Sequence, residues 1–127
     1  MESFNITRVY ADENGESRFA DLVKPLVSAG EIGFLSEPEA VESIIFRKVV
    51  PGYDYDFHRA PARQYIILLD GEIEIETSLG EKRHFRAGDI LLVEDTTGKG
   101  HRTRNLLAAV RNSVFVTLKP GAADLRI

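Results

Sequence analysis

Two histidines, His58 and His101, stand in settings whose residue types suit metal or proton chemistry. The first set reads Gly52, five residues, His58-Arg59-Ala60, three residues, Gln64, six residues, Gly71. The second reads Gly88, twelve residues, His101, three residues, Asn105. An imidazole nitrogen is a good ligand for zinc, iron, nickel or manganese, and it exchanges protons near neutral pH. On a strand, alternate side chains share a face. That rule predicts Asp56 and Ala60 beside His58, and Thr103 beside His101, while Tyr53, Tyr55 and Phe57 share one face and pack against the other sheet or a second subunit. Asp56 and Thr103 are therefore candidate ligand contacts.

The loop from Glu94 to Gly100 brings two carboxylates, two hydroxyls and an ammonium next to His101. One reading is a rim that recognises a polar substrate, with Glu94 or Asp95 as general acid or base and Lys99 as an anion contact. The other is a hydrophilic turn whose Asp and Thr side chains satisfy their own backbone. It is not a phosphate-binding loop, because Gly98-Lys99 lacks the upstream glycine at the required spacing. Glu72, Glu74 and Glu76 alternate along one segment and read as a solvated face. His84, next to Phe85, reads as a surface residue.

Short strands must position these groups. Ser43–Val50 is rich in strand formers and stops at the turn pair Pro51-Gly52. Gln64–Leu69 ends at Asp70-Gly71, a hairpin signal. Glu72–Thr77 alternates strictly, as a half-buried strand does. Lys82–Arg86, Ile90–Val93, His101–Leu107 and Ser113–Leu118 follow between turn residues. Strands at this rhythm predict an all-β sandwich or barrel. Before residue 42, Ile6–Tyr10 and Ser17–Leu22 read as strands. Phe19, Leu22, Val23, Leu26 and Val27 fit a helical stripe, but Pro25 interrupts it, so extended structure with at most a short helical turn is expected.

The two spaced motifs resemble those of the cupin superfamily, over the segment from about Ser43 to Leu118. The resemblance implies an all-β, cupin-type jelly-roll β-barrel in a single domain. Residues 1–41 would form an N-terminal arm packing on the barrel, 42–119 its core and 120–127 a C-terminal tail. It also implies a divalent transition metal (Zn, Fe, Mn or Ni) held by His58, Gln64 and His101. Here the motif's carboxylate is replaced by Gln64 and its second histidine by Ala60. An amide oxygen adds no charge, so an ion would keep its full charge and favour an anionic ligand. Water or substrate could fill the gap at Ala60, or Asp56 could orient His58. Alternatively the pocket binds an organic molecule without metal. The expected function is binding of a small polar or anionic organic molecule, with isomerase, cyclase or lyase chemistry favoured over dioxygenase chemistry. A non-catalytic small-molecule-binding barrel and a purely structural barrel are the rivals. A homodimer is implied by the family.

The whole composition agrees with this class. The chain has 127 residues, 43% hydrophobic and 28% charged, which suits one ordinary domain. A formal charge of −4 argues against a nucleic-acid partner. Neither a membrane-length apolar run nor a signal-peptide start is visible, so no membrane partner and a cytoplasmic location are expected. With no cysteine, thiolate ligands and thiol catalysis are excluded.

Overall fold

The computed structural model describes residues 2–120. The elements in chain order are β1 (Ser3–Ala11), β2 (Ser17–Pro25), β3 (Val27–Ser28), a 3-10 turn (Gly30–Ile32), β4 (Phe34–Leu35), β5 (Ser43–Val49) and β6 (Asp54–His58). They continue with β7 (Gln64–Leu68), β8 (Glu72–Glu76), β9 (Lys82–Arg86), β10 (Ile90–Val93), β11 (His101–Asn105) and β12 (Arg111–Thr117). A six-stranded sheet runs β2-β1-β10-β7-β12-β5, and a four-stranded sheet runs β6-β11-β8-β9. The short β3 and β4 pair with each other. The result is an all-β jelly-roll-type barrel. Among the described residues no helix is long and apolar enough to cross a membrane.

Alternation explains the core. Ile73 and Ile75 are 2% and 1% exposed, while Glu72, Glu74 and Glu76 between them face outward on β8. They pack with Val9, Phe19, Leu68, Phe85, Leu91 and Val93 into one cluster. Each enclosed aliphatic side chain contributes about 1.5–3 kcal/mol relative to exposure. His84, opposite this face, is exposed and paired with Glu72 at 2.8 Å.

The N-terminal arm is built into the barrel wall. β1 seats parallel to β10, and β2 then forms the sheet edge through a long antiparallel pairing with β1. Phe19 and Val9 belong to the core on this account. Pro25, which has no N–H to give, closes the edge strand, and the helical stripe around it does not form. Of the expected tail, 120–127, only Pro120 falls within the described residues.

One turn departs from expectation. Asp70-Gly71 does not close a hairpin, because β7 pairs with β10 and β12 whereas β8 pairs with β9 and β11. The pair marks a corner between sheets. Only Gly71 has positive φ, 72°, so the hairpin turn that needs two such residues is not made. The Asp70 carboxylate accepts instead from the Asn112 backbone N–H and side-chain amide, each at 2.6 Å. That ties the corner to β12. These contacts hold the Asp70 carboxyl below its usual range.

Candidate functional site

β6 and β11 are neighbours in the smaller sheet, and their register sets His58 directly opposite His101. The two rings lie 4.7 Å apart between centroids and are tilted by 53°. Gly100 allows this approach. Its φ is +76°, and an added Cβ would overlap the carbonyl of His58 and reach 2.8 Å from the Arg59 nitrogen. Both rings line a cavity of about 320 Å3 between the sheets, together with Gln64 and Thr103 and an apolar wall of Ile66, Ile73, Ile75 and Val93. Gln64 is 5% exposed and Thr103 is buried, so the strand faces expected for both are the ones observed. Ala60 also lines the cavity, where its small side chain leaves room. A cleft of about 380 Å3 near Phe4, Asp21 and Arg83 is of similar size. Asp21 and Arg83 pair with each other there.

Both imidazoles are anchored through Nδ1. In His101, Nδ1 lies 2.5 Å from Asp95 Oδ2, and Asp95 is fully buried. In His58, Nδ1 lies 2.8 Å from the Asp56 carbonyl oxygen, which can only accept. Each Nδ1–H therefore donates, which leaves Nε2 as the nitrogen free for the cavity. Burial lowers the pKa of His58 below the usual 6.5, opposed by the bond to the Asp56 carbonyl and assisted by nearby His101. His58 thus carries a lone pair on Nε2 at neutral pH.

Simple alternation fails in β6. The pairing runs His101 with His58, then Thr103 with Tyr55, so β6 holds one extra residue at a bulge. The bulge turns Tyr55 onto the face of His58, where the two rings stack at 4.0 Å. Tyr53 and Tyr55 thereby line the cavity rather than packing against another sheet or subunit. Asp56 is turned outward. Its carboxylate accepts from the Phe57 backbone N–H at 2.8 Å. Asp56 does orient His58, but through its backbone carbonyl, and its side chain does not line the cavity.

The loop after β10 serves mainly to hold the histidines. Glu94 is bound by two guanidiniums, Arg8 at 2.5 Å and Arg63 at 2.7 Å, and does not line the cavity. Lys99 is exposed and ion-paired with Glu16, also away from the cavity. Its backbone N–H donates to the Gly15 carbonyl, and the Gly100 carbonyl accepts from Ser17 Oγ. These bonds clamp the loop onto the β1–β2 turn. Asp95 reaches the cavity only through His101. Its Oδ1 has no hydrogen-bond partner. The geometry brings together His58, Gln64, His101 and Thr103, places Asp95 behind them, and leaves Glu94, Lys99 and the Asp56 carboxylate elsewhere.

No protein-family model matches the chain, and no curated protein matches it in sequence. Its structure is similar to that of a Cupin 2 conserved barrel domain protein from Salinispora arenicola CNS-205, with a TM-score of 0.52 and 18% identity over 89% of this chain and 82% of that one. The cupin domain of Schizosaccharomyces pombe Cnp3 aligns over 94% of this chain and 86% of its own, at 13% identity and a TM-score of 0.49. This chain has the cupin fold. At such identities the likeness speaks for architecture, and the chemistry of this chain rests on its own side chains.

Those side chains include groups that strand reading alone passes over. Arg47 on β5 and Arg111 on β12 both line the cavity, with Tyr53 and Phe115. Arg111 is 2% exposed. The available signal was alternation, because Arg111, Ser113 and Phe115 occupy every second position. Starting the strand at Ser113 left Arg111 outside it. Among the described residues no three His, Cys, Asp or Glu side chains gather closely enough to hold a metal. A metal would have to rest on two imidazoles and the Gln64 amide, a donor set of lower charge whose members line one cavity.

Proposed function

We propose that this cupin binds a small polar or anionic organic molecule in the cavity at His58 and His101, with a divalent transition metal held by those imidazoles and Gln64. The observation behind this reading is the pair of imidazoles tied through Nδ1 with both Nε2 atoms left to the cavity. A buried carboxylate behind a histidine, as Asp95 is behind His101, is also the arrangement that fixes tautomer and basicity in metal-binding histidines. Zinc, iron, manganese or nickel all accept imidazole nitrogen. Such an ion would supply Lewis acidity toward a carbonyl or a water molecule. Because Gln64 adds no charge, the site favours an anionic ligand. Isomerase, cyclase or lyase chemistry fits that better than dioxygenase chemistry. The chain's own part is to fix both imidazoles, exclude bulk water with its apolar wall and offer Thr103 as a hydrogen-bonding group.

A second reading is a metal-free binding protein. It is favoured by the lack, among the described residues, of three His, Cys, Asp or Glu side chains grouped so as to hold a metal. Elemental analysis of the dialysed protein beside the H58A/H101A double variant separates the two. About one ion per chain, lost in the variant, supports the metal reading. No metal after loading with iron, zinc, nickel and manganese sinks it, and a screen of small acids by thermal shift then tests the cavity alone.

We further propose a homodimer. The outer surface along β5 exposes Ile44 and Phe46, with Val50 just beyond its end, and Phe46 is 77% accessible in the single chain. Apolar side chains grouped on one strand are commonly covered by a partner.

A further inference from the structure

Arg47 and Arg111 come from adjacent strands of the larger sheet. β5 and β12 pair so that Arg47 lies opposite Ser113 and Val49 opposite Arg111. Both guanidiniums lie against the Tyr53 ring, Arg47 at 5.0 Å and Arg111 at 5.7 Å from its centroid. Arg47 also covers Phe115 at 5.0 Å. Two cations thus meet at one wall of the cavity that holds His58 and His101.

Their counter-charge is missing. Arg111 Nε donates to Asn105 Oδ1 at 2.8 Å, a neutral acceptor, and its buried Nη2 has no hydrogen-bond partner. Among the described residues neither guanidinium forms an ion pair with a carboxylate, and the remaining contacts of Arg47 are the two aromatic rings. Asp70 is the acid whose charge Arg111 feels, but both its oxygens are taken by Asn112. Burial, helped by the positive charge of Arg47, pushes the Arg111 guanidinium below its usual range. Ser113, between Arg111 and Phe115 on the same face of β12, keeps a buried hydroxyl that is also unpartnered.

A buried cation without an anion is costly, and such charges are normally paired. The chain nevertheless makes specific provision for Arg111. Gly71 leaves space that a Cβ would close to 3.0 Å from Arg111 Cγ, and Asn105 fixes the Nε end. The free Nη2 edge and the Arg47 guanidinium offer planar donors suited to a two-oxygen acceptor. The neighbouring wall is apolar, formed by Ile66, Ile73, Ile75, Val93 and Phe115.

We infer that Arg47 and Arg111 bind the carboxylate of a small organic acid whose apolar body lies along the isoleucine wall toward His58 and His101. This rests on the reading that the cavity is the binding site, and it names the ligand class. The carboxylate supplies the missing counter-charge. The apolar wall separates an organic acid from a free inorganic anion.

Calorimetric titration of the full chain tests this with benzoate and 3-methylbutanoate, their neutral amides, and inorganic phosphate. Each acid is expected to bind at least tenfold tighter than its amide and than phosphate. R47Q should erase that preference. R47Q should also melt no lower than the parent without ligand, because it removes an uncompensated cation and leaves Arg111 in place. R111K, which keeps charge but loses the fork, should weaken acid binding at least tenfold. Equal binding of acids and amides, phosphate binding as tightly as the acids, undiminished binding by R47Q, or no binding of either acid overturns the inference. The H58A/H101A variant separates the two readings. If acids and amides bind alike and both are lost in that variant, the cavity reading stands without the arginine site. If acid binding survives in H58A/H101A but not in R47Q, the arginine site stands and the histidine reading falls.

Discussion

Replacing Gly100 by alanine should strain the contact between the two histidine strands, and the size of the effect follows from the backbone. At φ +76° an L-residue pays about 1–2 kcal/mol for the left-handed conformation. The new Cβ would also overlap the His58 carbonyl carbon and oxygen, well inside the 3.0 Å that real Cβ atoms keep from their neighbours. The obstacle is backbone, so no rotamer change relieves it. Overpacking of this kind costs about 1–3 kcal/mol. The expected total for G100A is about 3 kcal/mol, roughly a 12 °C fall in Tm for a chain of this size. Gly52 is the internal control. It too has positive φ, +83°, but nothing lies within 4 Å of its added Cβ. G52A should therefore cost only the backbone term of about 1–2 kcal/mol. Urea unfolding of both variants, read by far-UV circular dichroism, isolates the close approach. A G100A protein within about 0.5 kcal/mol of G52A would refute the claim that Gly100 is required by the contact with His58.

Other consequences are open to direct measurement. Because burial holds the folded-state pKa of His58 below the 6.5 of the unfolded chain, the unfolded state takes up that proton first as pH falls. The stability contributed by neutral His58 is complete above 6.5 and is lost as pH falls from there through the folded pKa. Melting curves of H58Q should lack that part of the pH dependence, and an unchanged profile would show that another group is responsible. Q64E should tighten divalent-metal binding by adding charge beside His58 and His101, while lowering the stability of the metal-free protein through an unpaired buried carboxylate. Weaker metal binding in competition titrations would remove Gln64 from the ligand set. D95N disturbs the anchor of His101, and metal affinity should drop about 10–100-fold if Asp95 sets its tautomer. Full affinity in D95N would reduce Asp95 to a packing role. F46E should convert a dimer to a monomer in sedimentation velocity, and an unchanged mass would move any interface away from β5.

Much of this molecule follows from local pattern. Glu72–Glu76 alternates so cleanly that its solvated glutamate face could be told in advance, and Pro25 argued for extended structure where β2 now forms the sheet edge. The expectation that His58 and His101 share one site came from the resemblance of their two spaced motifs to those of the cupin superfamily, and the pairing of β6 with β11 sets the two rings side by side. Other features depended on interactions between distant segments. The bulge that turns Tyr55 inward and Asp56 outward arises where β6 meets β11, and one extra residue reverses every later side chain. Glu94 and Lys99 looked like chemistry beside His101, but Arg8, Arg63 and Glu16, far away in the chain, claim them. Arg47 and Arg111 are separated by the whole motif region and meet at Tyr53 only when β5 pairs with β12. The sequence determined which segments are strands and which residues alternate along them. The tertiary structure decided which faces meet, because register, bulges and ion pairs are settled by partners that local periodicity does not contain.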